Sequence, residues 1–273
     1  MLQFAPSTYY AAKSRPPSDR ARNDAVVSPA LLALWEKNYS VYGRRKLWKK
    51  ARRVGLDVGR DQVVRLMAAE GIRGATRAKK RFTTKSDPTA VRAPDLVNRD
   101  FSASRPDALW VADFTYCSTW SGIVYVAFII DVYSRRLVGW KAARSMTADL
   151  VIDALNMAAW TRWHTNAGSQ YTSILYTERL DDVGNAPSIG TVGDSYDNAM
   201  AESVMGIFKT ELHRNPAALA TNGGPWRGLD DLEIATCGWV SWFNEERLHS
   251  ELDDKTPEEF EAEYRQKSQP DAA

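Results

Sequence analysis

The chain has 273 residues, 44% of them hydrophobic, which suits one large or two modest folded domains and excludes a disordered chain. Its two cysteines, Cys117 and Cys237, lack CxxC spacing, so a zinc knuckle or disulfide framework is not expected and a reducing cytoplasm fits. The net charge of +2 divides unevenly: residues 1–105 carry 23 Lys and Arg against 9 Asp and Glu, and residues 106–273 carry 13 against 25. A basic half attracts a polyanion, while the acidic half needs another reason for its carboxylates. The longest apolar run, Ile123 to Ile130, is too short to cross a bilayer, and "MLQFAPSTYY" lacks the apolar core of a signal peptide. No membrane partner is expected, and the expected location is the cytoplasm.

In chain order, "SPALLALWEKN" is the first predicted helix. The stretch Tyr42–Gly74 then reads as two helices joined by a turn. Seven of the ten residues from Arg44 to Arg53 are basic, while Leu47, Ala51 and Val54 fall at helical spacing and are expected to face a core. Gly55 is a helix stop, and Asp61 is the expected cap of a helix carrying Val63, Val64, Leu66 and Met67 that ends at Gly71. Three short helices around a small core make a helix-turn-helix-like domain, placed at 1–82. Its candidate DNA contacts are Arg44, Arg45, Lys46, Lys49, Lys50, Arg52, Arg53 and Arg65. A further cluster, Lys79, Lys80 and Arg81, with Arg77 beside it, favours phosphate neutralisation over a merely solvated basic face. Gln62 and Arg65 lie on the candidate recognition helix. Residues 83–105 read as a linker with Pro88 and Pro94.

The acidic half opens with "ALWVADFTYCSTW", which alternates as a strand: Trp110, Ala112 and Phe114 on one face, Val111, Asp113 and Thr115 on the other. "SGIVYVAFIIDVYSRRLVGWKA" continues a three-strand meander with a turn at "DVYSRR". "TADLVIDALNMAAWTRW" is an amphipathic helix with Thr147 as cap and Leu150, Val151, Ala154, Leu155 and Ala158 as its buried stripe. A helix ("SQYTSILYTERLDDVG"), a short strand ("APSIG"), a polar loop ("TVGDSYDN") and a helix ("AMAESVMGIFKTELH") follow. The layout is α/β. Glu202 and Lys209 stand seven apart, two turns along one helical face. A carboxylate on a first strand and another on a late helix suggest a two-metal site for phosphodiester chemistry. An isolated Asp on a strand is more often a surface residue or a cap, and Asp194 and Asp197 read as turn and capping residues.

The segments "WVADFTY", "GSQYTS", "GDSYDNAMAES", "FKTEL" and "WFNEERLHSELDDKTPEEF" resemble the second-frame transposases of insertion-sequence family three, which are similar to retroviral integrases. The resemblance covers nearly the whole chain. It implies an RNase H-like integrase core, a mixed sheet flanked by helices, preceded by an all-α helix-turn-helix domain. The core is placed at 106–265, with a tail at 266–273. It also implies an Asp, Asp, Glu triad holding Mg²⁺, or Mn²⁺ in its place. Asp113 matches the first Asp and Glu202 the Glu, both as metal ligands, and Lys209 matches a DNA-contacting basic residue. The second Asp falls on Asn166, separated from Glu202 by the 35 residues 167–201.

Two departures follow. Asn166 replaces an acid, and the segment leading to it is shorter than the family pattern by about ten residues, so the fourth strand is clipped. The implied partners are double-stranded DNA, both element ends and target, further copies of the chain when DNA is bound, and an upstream-frame helix-turn-helix protein. Three functions compete: a transposase that cuts and joins DNA strands, a catalytically inactive DNA-binding relative or inhibitor, and a transcription regulator with a ligand-sensing domain. The third explains neither "GDSYDN" with its following Glu nor the aromatic C-terminal helix.

Overall fold

A computed structural model describes residues 6–77, 102–165 and 199–268, and the chain divides into two compact units, Met1–Gly74 and Ala75–Ala273. The predicted strand "APSIG" and the helix before it lie outside the described residues.

The first unit holds α1 (Pro6–Ser14), α2 (Asp19–Lys37), α3 (Arg44–Arg53) and α4 (Arg60–Ala69). Helix α2 starts nine residues before the predicted "SPALLALWEKN", because the Ser18 side chain accepts a hydrogen bond from Ala21 N–H and caps its first turn. Leu31, Leu34, Tyr42, Leu47, Ala51, Val63, Leu66 and Met67 form the core. Val54 does not join it. It is the C-terminal cap of α3 and is 55% exposed. Gly55 follows with φ +83°, and the Leu56 N–H returns to the Ala51 carbonyl at 3.0 Å; Gly71 and Ile72 end α4 in the same way. Asp61 is not the cap of α4. Gly59 takes that position, and Asp61 sits inside the first turn, where its charge complements the helix dipole.

The second unit is built on β1 (Trp110–Thr119), β2 (Gly122–Asp131) and β3 (Leu137–Ala143), an antiparallel meander in that spatial order. The turn at "DVYSRR" is held by Asp131, whose carboxylate accepts from the backbone N–H groups of Ser134 (2.7 Å) and Asp107 (2.8 Å). Helix α5 (Ala148–Thr165) covers one sheet face. Ala127, Ile129, Val138, Leu150, Ala154 and Ala158 form that core. The approach is close: a Cβ on Gly139 would meet the Ala154 carbonyl oxygen at 2.1 Å. Thr147 begins α5 through its carbonyl, which accepts from Leu150 N–H at 3.2 Å.

Helix α6 (Ala199–Phe208), a π-helical turn (Lys209–His213), α7 (Pro216–Thr221), α8 (Leu229–Glu245) and α9 (Pro257–Ser268) complete the unit. The opposite sheet face packs on an aromatic cluster in which Phe128 of β2 meets Phe208 at 5.0 Å and Trp239 at 6.0 Å between ring centroids. Trp239 and Phe243 thus pack α8 onto the sheet, as their helical spacing predicts. Asn244 locks the start of β3, accepting from Leu137 N–H and donating to its carbonyl, both at 2.9 Å.

Candidate active site

Residues directly opposite in an antiparallel pair share a face. Asp113 pairs with Phe128, Thr115 with Val126 and Cys117 with Val124, so Asp113 projects toward the side covered by α6. Its neighbours on that face, Val111, Thr115 and Cys117, are buried, and Phe114 and Tyr116 alternate outward. One carboxylate oxygen accepts from the Phe114 N–H at 2.8 Å. Burial pushes the Asp113 carboxyl up to about 6, the nearby Glu202 charge adds to the rise, and the Phe114 hydrogen bond and Lys209 oppose it. Glu202 stands exposed in the first turn of α6.

Lys209 stands one residue past the end of α6, where the π-helical turn begins; the Arg214 N–H closes that turn on the Lys209 carbonyl at 2.9 Å. Its ammonium lies over the Tyr116 ring, 4.3 Å from the centroid. Burial lowers the Lys209 pKa, while the acid groups of Cys117 and Asp113 raise it. His213 ends the turn with Nε2 3.1 Å from the Ser118 carbonyl of β1, which makes Nε2 the protonated nitrogen of a neutral ring. Burial lowers its pKa and keeps it neutral. Nothing local in the sequence pairs this helix end with a strand 95 positions earlier.

Behind the turn, Arg247 grips Glu211 through two parallel bonds, Nε to Oε2 at 2.8 Å and Nη2 to Oε1 at 2.7 Å. Both side chains are buried, so this pair sets where the π-helical turn lies. Asp113, Glu202 and Lys209 stand on β1, α6 and the turn, near enough for Asp113 to feel the charges of the other two.

In the first unit, Arg44, Arg45, Arg52 and Arg53 are exposed along α3, with Lys46, Lys49 and Lys50 half-buried. Lys46 and Lys49 lie over the rings of Tyr42 and Trp48. Arg65 belongs to a different face and pairs with Asp24 of α2. Asn166 and the cluster Lys79, Lys80 and Arg81 lie outside the described residues.

Family descriptions match most of this chain: an HTH-like domain over residues 21–80 and an integrase core domain over residues 103–195 and again over 183–257. A protein of Mycobacterium tuberculosis, provisionally named a transposase for insertion sequence element IS986/IS6110, is 45% identical across 100% of both chains. The transposase for insertion sequence element IS629 of Shigella sonnei is 45% identical over 96% of this chain and 90% of its own, and that for IS904 of Lactococcus lactis is 32% identical over 90% and 98%. The chain belongs to the insertion-sequence transposases.

This transposase combines an all-α HTH-like domain with an α/β integrase core. Its alignment with the Mycobacterium relative runs over 284 positions against a chain of 273, so at least 11 positions have no counterpart here. Two carboxylates that repel one another are the donors a hard divalent cation takes, and a bound cation would offset that repulsion. Among the described residues no three His, Cys, Asp or Glu side chains converge on such a site. Two of the three predicted triad positions, Asp113 and Glu202, are described. No helix among the described residues is long and apolar enough to cross a membrane.

Proposed function

We propose that this chain acts in DNA transposition, binding double-stranded element-end and target DNA, with an integrase-type centre at Asp113 and Glu202 short of one charge at Asn166. The observation that carries the reading is the position of Asp113 on the face of β1 covered by α6, the helix that carries Glu202 and leads into Lys209. Asp113 and Glu202 are the proposed ligands of Mg²⁺, or Mn²⁺ in its place. Such a cation supplies Lewis-acid stabilisation of the charge that develops in phosphodiester exchange. Lys209 supplies a positive group beside the carboxylates for the DNA backbone. The α3 basic face, with Arg65, Lys79, Lys80 and Arg81, is the proposed DNA-binding surface, and several copies assemble on DNA.

Asn166 favours the reading that this copy is catalytically weak or silent. An amide oxygen brings no negative charge, and losing one ligand charge removes several kcal/mol of cation and transition-state support. The corresponding loss of rate is about a hundredfold or more.

A strand-transfer assay with Mg²⁺ or Mn²⁺ on duplexes carrying the ends of the parent element tests both statements. The expected result is little or no product from the native chain and a gain of about a hundredfold in Asn166→Asp, abolished again by adding Asp113→Ala. Robust native activity that requires Asp113 would sink the silent reading. Product formation indifferent to both Asp113→Ala and Glu202→Ala would remove the proposed centre altogether.

A further inference from the structure

The half-exposed flank of α4 that faces α2 carries Gln62 and Arg65, one turn apart, and both are held by one carboxylate of α2. Asp24 Oδ2 lies 2.7 Å from Arg65 Nη1, and Asp24 Oδ1 accepts from Arg65 Nη2 at 2.7 Å and from Gln62 Nε2 at 3.0 Å. The carboxylate therefore occupies the forked end of the guanidinium. A guanidinium has five N–H donors in a rigid plane. With the end occupied, the lateral pair, Nε–H and the outer N–H of Nη2, remains as two parallel donors in a fixed direction.

The same carboxylate settles the orientation of the Gln62 amide. Asp24 only accepts, so Nε2 must point at it, and Oε1 is turned away as an acceptor. Gln62 and Arg65 line a cleft of about 560 Å³ together with Arg20, Asn23 and Asp61.

Stability alone is a poor reason for this arrangement. The Arg65 side chain is 37% exposed and that of Asp24 17% exposed, and ion pairs reachable by water contribute little. What the clamp does provide is a preset direction for Arg65, so that less freedom is lost when a ligand binds. The Asp24 charge persists at neutral pH, because the Arg65 hydrogen bond holds its carboxyl below the usual range. That charge also offsets the pull of Arg65 on phosphate, which favours a neutral partner with two adjacent acceptors. In duplex DNA the major-groove edge of guanine, O6 beside N7, is such a partner.

We infer that Asp24, from outside the α3–α4 pair, presets Arg65 to read a guanine edge in the major groove through Nε and Nη2, with Gln62 Oε1 facing an exocyclic amine of an adjacent base. This rests on the reading of the first unit as a DNA-binding domain. Arg65 thus specifies, while the α3 arginines hold phosphate and position.

The test uses the full chain and a pool of duplexes with a randomised core, sequenced after selection, followed by fluorescence anisotropy on the preferred duplex and on a mixed-sequence duplex. In the native chain one guanine position is expected to depend on Arg65. Asp24→Ala and Arg65→Lys are each expected to lower the preference for that guanine by roughly tenfold or more. Both should leave the base preferences at the other selected positions intact, and Asp24→Ala should keep mixed-sequence affinity within a few-fold. Thermal melts of each variant show whether it folds, and Asp24→Glu, which keeps the carboxylate, is expected to restore part of the preference.

Unchanged base preferences in folded Asp24→Ala and Arg65→Lys would overturn the inference, as would a uniform loss of affinity on all duplexes. Failure of the DNA-binding reading looks different: the native chain would then retain no duplex, even at low salt.

Discussion

Cys117 illustrates how one side chain reports the packing around the site. It is fully buried on the face of β1 that carries Asp113, and burial pushes its thiol up to about 12. A raised thiol pKa leaves almost no thiolate at neutral pH, and the thiolate is the reactive form. Cys237 on α8 is exposed. Iodoacetamide at pH 8 should therefore alkylate Cys237 and spare Cys117 in the folded protein, and label both after denaturation in guanidinium chloride. Mass spectrometry of the labelled peptides checks this, and equal labelling of the native protein would mean that α6 does not cover β1 as described. The alternation of "WVADFTYC" already places Cys117 and Asp113 on one face. That Lys209 reaches the outward-facing Tyr116 could not be read there, because the contact depends on where a distant turn ends.

At the scale of elements, the π-helical turn after α6 is held by a buried ion pair. A regular helix continued through Lys209 would carry it two turns from Glu202 along one face, as the spacing of seven predicts. The π-helical turn begins at Lys209 and buries Glu211 against Arg247. Removing one member of a buried pair leaves an uncompensated charge, so Arg247→Ala is expected to cost about 3–5 kcal/mol of stability. Urea denaturation measures it, and a loss below about 1 kcal/mol would show the pair to be solvated. Helices α3 and α4 were legible because their glycine stops and apolar spacing are local signals. The cap of α4 was not: Asp61 is the better capping residue, yet the backbone enters the helix at Gly59. Asn244 carried no local signal for its part in holding β3, since its partner Leu137 is 107 positions away.

Across the whole molecule, the charge division of the sequence follows the two units. The first unit carries the cationic α3 face, and the second unit carries Asp113 and Glu202. If that face neutralises phosphates, affinity for mixed-sequence duplex falls linearly with salt on a log–log plot, with a slope of about −0.9 for each phosphate contacted. The double substitution Arg45→Ala with Arg53→Ala is expected to reduce that slope by about 2. Anisotropy titrations over a series of KCl concentrations supply the measurement, and an unaltered slope would take α3 out of the interface.

The sequence by itself determined the class of the fold, the β1–β3 meander and the α3–α4 pair, and it nominated Asp113 and Glu202 as the acids to test. Period, turn residues and motif spacing are short-range properties, written wherever the local chain is. The tertiary structure alone decided that Asp24 clamps Arg65 and Gln62, that Arg247 anchors Glu211, and that Lys209 stands over Tyr116. Each of those joins side chains from separate elements, and only packing of the apolar faces brings such elements close enough for directional polar bonds to form.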